Sequence, residues 1–195
     1  KIKTVDPATG TVQIVCDSPT IFGASWNNQG TILFVAQNGQ PIYRVRAAGG
    51  TPEAVIRPPT GTFYLWPVFL PDGDHFVFYL SHPSSGSGGS AGTQPMGLYV
   101  GSLNSQSIKL LSADVANNVA VGGARIYFVR DRSLMAQPFD AARLELTGKP
   151  EVLAAGELEG DPAFSRFGFS VSDDTCNDQI RVVECSSVGV HQRIT

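Results

Sequence analysis

The chain has 195 residues and a net charge of −3, from 17 acidic residues against 10 Arg and 4 Lys. Charged residues make up only 16%, below the ~25% usual for soluble domains, while Gly and Pro together number 34, about 17% against a usual ~12%. This balance argues against a disordered chain, a coiled coil or a helical bundle and against a strongly basic nucleic-acid footprint, and no apolar run approaches the ~20 residues of a membrane-spanning helix.

A chain of this size can bury roughly 70% of its unfolded surface without disulfide or metal staples. It starts at Lys1 without Met, which suggests a segment of something longer. Residues 2–5 and 12–16 read as two short strands joined by the turn Asp6-Pro7-Ala8-Thr9-Gly10. Three segments then share one template of a Gly-containing turn, an unbroken apolar run, a second run and a third. The first comprises Ser25–Phe34, Ile42–Val45 and Ala54–Ile56; the second Val68–Phe78, Leu98–Val100 and Ile108–Leu111; the third Val119–Val129, Leu134–Ala136 and Val152-Leu153. Gly30 and Gly73 lie 43 residues apart, and Phe78 and Phe128 lie 50 apart. About four short strands per period of 40 to 50 residues is the signature of a β-propeller.

The runs Ile32–Val35, Phe76–Tyr79 and Ile126–Val129 have no polar alternation. A strand buried on both faces reads that way, as a middle strand between two neighbouring sheets would. Pro71-Asp72-Gly73 presets a tight turn through fixed φ, a side chain that bonds its own backbone, and a residue free to take positive φ. The expected architecture is all-β: a propeller of about four four-stranded antiparallel blades. Residues 164–171 and 180–184 read as inner strands that would join residues 2–5 and 12–16 in one blade shared by the two termini. One domain over residues 1–174 is expected, closed by 175–185, with 186–195 an atypical flexible tail. An incomplete propeller would be completed by association of copies.

Gly23–Phe34, with Trp26 and Gly30, resembles the WD40-like repeat of the TolB type, and Phe69-Leu70-Pro71-Asp72-Gly73 keeps that family's Pro-Asp-Gly turn. Leu134–Asp140, continuing through Arg143–Pro150, is similar to propeller regions appended to bacterial transmembrane serine/threonine kinases, and Phe169–Asp174 fits the same pattern. The resemblance spans residues 20 to 174 and implies an extracytoplasmic sensor or interaction domain. The kinase motifs themselves are absent from the sequence. Residues 175–195 depart from the repeat, and the first turn lacks Pro-Asp-Gly.

Catalytic patterns are sparse. Gly88-Gly89-Ser90-Ala91-Gly92 matches a nucleophile elbow, but it lies inside the Gly/Ser-rich stretch 83–95, whose composition is that of a linker with no following helix. His75 is read as structural, with Asp72 or Asp74 as partner; His82 and His191 are read as solvated. Cys16, Cys176 and Cys185 are too few for a disulfide framework and contain no paired zinc spacing. Asp173, Asp174 and Asp178, with Asn177, form an oxygen-rich cluster that calcium could use, though the simpler reading is a solvated turn. Ligands of propellers meet loops that enter the first strand of each blade. Here those loops carry Phe22, Tyr64, Trp66, Asn117, Asn118, Asp161 and Arg166, the candidate ligand-binding residues, although core or rim packing for the three aromatics and turns for Asn117-Asn118 and Asp161-Pro162 are the simpler readings.

Three functional readings follow. The first is a non-catalytic module binding a small molecule or a protein. The second is a calcium-dependent lactonase acting on sugar lactones or acyl-homoserine lactones, with Asn117, Asn118, Asp161 and one of the Asp173 group around the ion. A scaffold fragment without activity of its own is the third reading.

Overall fold

A computed structural model describes residues 1–82, 93–115, 119–156, 160, 161, 166, 167, 169, 171, 181–186 and 189–194, with only the backbone given for the strands from residue 160 onward. All regular structure among them is β, and no helix is long and apolar enough to cross a membrane. In chain order the strands are β1 (Ile2–Val5), β2 (Val12–Cys16), β3 (Ala24–Trp26), β4 (Thr31–Val35), β5 (Ile42–Arg46), β6 (Glu53–Ile56), β7 (Phe63–Phe69), β8 (His75–Ser81), β9 (Gly97–Ser102) and β10 (Ser105–Ser112). There follow β11 (Val119–Gly122), β12 (Arg125–Arg130), β13 (Ser133–Asp140), β14 (Glu145–Leu146), β15 (Glu151–Ala154), β16 (Gly160–Asp161), β17 (Arg166–Phe167), β18 (Arg181–Ser186) and β19 (Gly189–Ile194). The chain forms two compact units, Lys1–Lys109 and Leu110–Thr195, and the boundary falls within β10.

In the first unit, β3-β4-β5-β6 and β7-β8-β9-β10 are four-stranded sheets with neighbours in sequence adjacent in space. Their strands β4 and β8 are the apolar runs read from the sequence. Leu33, Val35, Phe76, Phe78 and Leu80 are fully buried and form one core with Ile42, Ile56, Tyr64, Phe69 and Tyr99. Burying side chains of this size stabilises by roughly 1.5–3 kcal/mol each, so this core dominates the unit's stability. The opposite face of β4 carries Ile32 and Phe34, which pack with Val45 of β5 against Ile2, Val15 and Cys16 of the β1–β2 hairpin. Burial, then the adjacent Asp17, pushes the Cys16 thiol pKa up.

In the second unit, β11-β12-β13 form an antiparallel sheet whose fourth position is divided. β14 pairs with the end of β13 (Phe139 with Leu146), and β15 with its start (Met135 with Val152). Ile126–Val129 are buried, as the unbroken run predicts. Val129 and Leu134 pack with Ala154 and Phe169.

One hydrogen bond recurs in all three sheets. The residue following or near the end of the third strand donates its N–H to the turn between the first two strands: Ala47 to Gly30 at 2.8 Å, Leu103 to Asp74 at 3.0 Å, and Phe139 to Ala124 at 2.9 Å. It fixes the repeat although the three turns differ in sequence.

The terminal strands form separate pairs, and the hairpin expected of residues 2–5 and 12–16 is one of them. β1–β2, β16–β17 and β18–β19 are each two-stranded sheets, and much of the expected inner strands 164–171 and 180–184 lies outside the described residues. β2 engages the turn after β5, through Gly50 N–H to the Val15 carbonyl at 3.3 Å and Gln13 Nε2 to the Ala48 carbonyl at 3.1 Å. Residues 189–194, read from sequence as part of a tail, form β19 opposite β18.

Candidate functional site

Two of the expected ligand-binding residues meet where β3 and β7 run side by side as the first strands of their sheets. Phe22, just before β3, donates its N–H to the Val35 carbonyl at 2.8 Å, and its own carbonyl accepts from Trp66 N–H at 3.1 Å. Gly23 has φ of +120°, and a Cβ there would lie 2.6 Å from the Trp66 Cα. Only glycine allows this approach of the two backbones.

Trp66 itself is strained. Its φ is +51°, in the left-handed region, and it precedes Pro67, which disfavours helical conformations in the residue before it. The cause is a β-bulge: β7 pairs Leu65 with Tyr79 and then Val68 with Val77, so β7 carries one residue more than β8. A bulge re-aims a side chain, and a non-glycine residue held this way costs on the order of 1–3 kcal/mol. The half-buried Trp66 ring is thereby stacked on Tyr79, with centroids 6.0 Å apart and planes at 26°. Burial pushes the Tyr79 phenol pKa up.

Tyr64 lies in the core rather than at a mouth. It is 1% exposed and packs edge-on to Phe78 at 4.7 Å. Its pKa is pushed up to about 12, by burial first and by Tyr99 second. Trp26 of β3, which the sequence reading used only as a repeat marker, is 56% exposed. Its neighbour Ser25 points the other way and accepts from Phe69 N–H at 3.2 Å. Gly23 abuts Trp66 and Ser25 bonds Phe69, so Trp26 lies further along the paired strands, and an exposed ring of this size can stack on a ligand.

Of the remaining candidates, Asn117, Asn118, Asp173, Asp174 and Asp178 lie outside the described residues. Asp161 and Arg166 are brought opposite one another in the β16–β17 pair, with only their backbone described. Ser90 and Cys176 also lie outside, as do the side chains of Cys185 and His191. Among the described residues no group of three or more His, Cys, Asp or Glu is placed to hold a metal ion.

His75 has the partner expected of it: Nδ1 lies 2.6 Å from Asp72 Oδ2, with Asp74 Oδ2 at 3.9 Å. Burial alone would raise the Asp72 pKa. Hydrogen bonds from the His75 ring and from the backbone N–H groups of His75 and Asp74 outweigh it and hold the carboxyl below the usual range. His82 is not simply solvated, because its Nε2 lies 2.8 Å from the Gln94 carbonyl and so carries the proton.

No family model matches the chain, and no curated protein matches it. Solved structures do. TolB from Acinetobacter baumannii aligns with a TM-score of 0.64 at 17% identity, over 99% of this chain and 45% of that one. The fold is a β-propeller. An oligogalacturonate lyase in complex with manganese aligns with a TM-score of 0.60 at 15% identity, over 92% of this chain and 49% of that one. A protein assigned as a gluconolactonase gives 0.59 at 15% identity, over 94% and 63%. The chain therefore spans less than two thirds of each of these structures, and at these identities the likeness is one of fold.

Proposed function

We propose that the chain is a propeller binding module that recognises a small molecule or a protein through the aromatic surface of β3 and β7. The observation that carries this reading is Trp66. It is held in a strained, bulged backbone that aims its ring onto Tyr79, beside a strand whose Trp26 is largely exposed. Backbone strain of this kind is kept where the surrounding structure uses it, and it preorganises a ring at little further entropic cost. The resemblance of Leu134–Pro150 to kinase-appended propellers supports an extracytoplasmic sensing role.

A calcium-dependent lactone hydrolase is the second reading, supported by the likeness in fold to the gluconolactonase. One experiment separates the two. A panel of sugar lactones, acyl-homoserine lactones, oligosaccharides and peptides is titrated while tryptophan emission and lactone opening are followed, with calcium and then with a chelator. Trp26 and Trp66 are the chain's two tryptophans, so emission reports on this surface. The binding module predicts a saturable emission change without turnover. Chelator-sensitive turnover would replace it with the hydrolase.

A further inference from the structure

The asparagines of the first unit sit in contrasting surroundings. The Asn27 side chain is buried and fully engaged: Nδ2 donates to the Gly73 carbonyl at 2.8 Å, and Oδ1 accepts from the N–H groups of Gln29 and Thr31. Asn104 Nδ2 donates to Asp74 Oδ1 at 2.7 Å, and its successor is Ser105. Asn38 is different. It is exposed at the tip of the turn joining β4 to β5 and is followed by Gly39. Neither its side chain nor the Gly39 N–H has a hydrogen-bond partner among the described residues. One bond closes the turn, Gln40 N–H to the Gln37 carbonyl at 3.0 Å. A Cβ at Gly39 would meet nothing within 4 Å, but φ there is +76°, a value that strains any other residue.

We propose that Asn38–Gly39 is a covalent modification site, where the asparagine deamidates through a cyclic imide under the action of hydroxide and water. Hydroxide removes the Gly39 amide proton, and the nitrogen attacks Asn38 Cγ. The new N–C bond forms as the Cγ–Nδ2 bond breaks, and ammonia leaves with a proton from water. Water then opens the ring at one carbonyl or the other, leaving aspartate or isoaspartate at position 38. No electrons are exchanged. Glycine favours the step because no Cβ crowds the attacking nitrogen and its backbone turns freely. Exposed loop tips are where such changes are tolerated, and asparagine is among the thermolabile residue types.

The product adds one negative charge, taking the chain from −3 to −4. The isoaspartate form also adds a methylene to the main chain of a tight turn. That turn leaves β4 at Val35 and Ala36, whose carbonyls accept from Phe22 N–H and the Thr20 hydroxyl. The new charge therefore arises at the end of the sheet that carries Phe22.

The test is incubation of the full 195-residue chain at mildly alkaline and mildly acidic pH, followed by peptide mapping with enzymatic isoaspartate labelling. Asn38 should convert to both acids, faster at alkaline pH, while Asn27 and Asn104 keep their amides over the same interval. Gly39→Ala, checked for unchanged circular dichroism, should slow the conversion several-fold. An intact Asn38 after Asn27 or Asn104 has reacted would overturn the proposal. So would conversion at Asn38 that is indifferent to pH.

Discussion

The sheets β3–β6 and β7–β10 share one strand order and one return hydrogen bond, yet their first turns rest on different chemistry. In β7–β10 the carboxylate of Asp72 accepts from Asp74 N–H at 3.0 Å and His75 N–H at 2.9 Å, and Gly73 takes φ of +73°. In β3–β6 the neutral amide of Asn27 does the same, accepting from Gln29 and Thr31 at 3.1 and 2.8 Å. It also uses its donor on the Gly73 carbonyl, so the two turns are tied to each other. In both turns a side-chain acceptor at this position gathers free N–H groups. The charge on that acceptor is optional, and only the Asp72 turn responds to pH through it.

Substitutions at matching depths sharpen this contrast. The largest effect belongs to the shared core. Phe78 is fully buried against Tyr64, Phe76 and Tyr99, so Phe78→Ala should lower unfolding free energy by ~3–5 kcal/mol in urea titration. Asn27→Ala comes next, because it strands a buried carbonyl and two N–H groups. A loss of ~2–3 kcal/mol is expected by the same measurement, and a loss below half of that would mean the tie between the turns is unimportant.

Asp72→Asn is smaller, since the carboxylate is partly solvated and its exposed contact with the His75 ring is worth ~0–1 kcal/mol. Its pH dependence is the sharper readout. The folded carboxyl pKa is depressed, so its stabilisation is present above the ordinary carboxylate value and is lost as pH falls through the folded value. Melting temperature against pH should fall less steeply on the acid side in Asp72→Asn than in the parent, and equal slopes would contradict the assignment. Smallest is Glu53→Ala, which removes an exposed pair with Arg44 at 2.9 Å and should cost ~0.5 kcal/mol or less.

The repeat was legible in the sequence because β4, β8 and β12 are buried on both faces and so lack alternation. The Pro71-Asp72-Gly73 turn was legible because each residue has one conformational task. The β1–β2 hairpin was legible from the Asp6–Gly10 turn between two short apolar runs, whereas short strands such as Ile2–Val5 carry too little pattern to choose a further partner. At the candidate site, Phe22 and Trp66 are candidates by their position in the repeat. Tyr64 takes the core reading of its two, and the bulge after Leu65 separates its orientation from that of Trp66. The exposure of Trp26 is not legible in the sequence, because a three-residue strand has no periodicity from which to read it.

The central claim is that the aromatic surface of β3 and β7 is where the module binds. The most direct measurement is affinity for whichever member of the panel shifts emission, compared across the parent, Trp26→Ala and Tyr79→Ala, each verified as folded. The account predicts that both substitutions weaken binding at least about tenfold, the loss of roughly 1.4 kcal/mol expected when a stacking ring is removed. Unchanged affinity in both would place recognition elsewhere on the molecule.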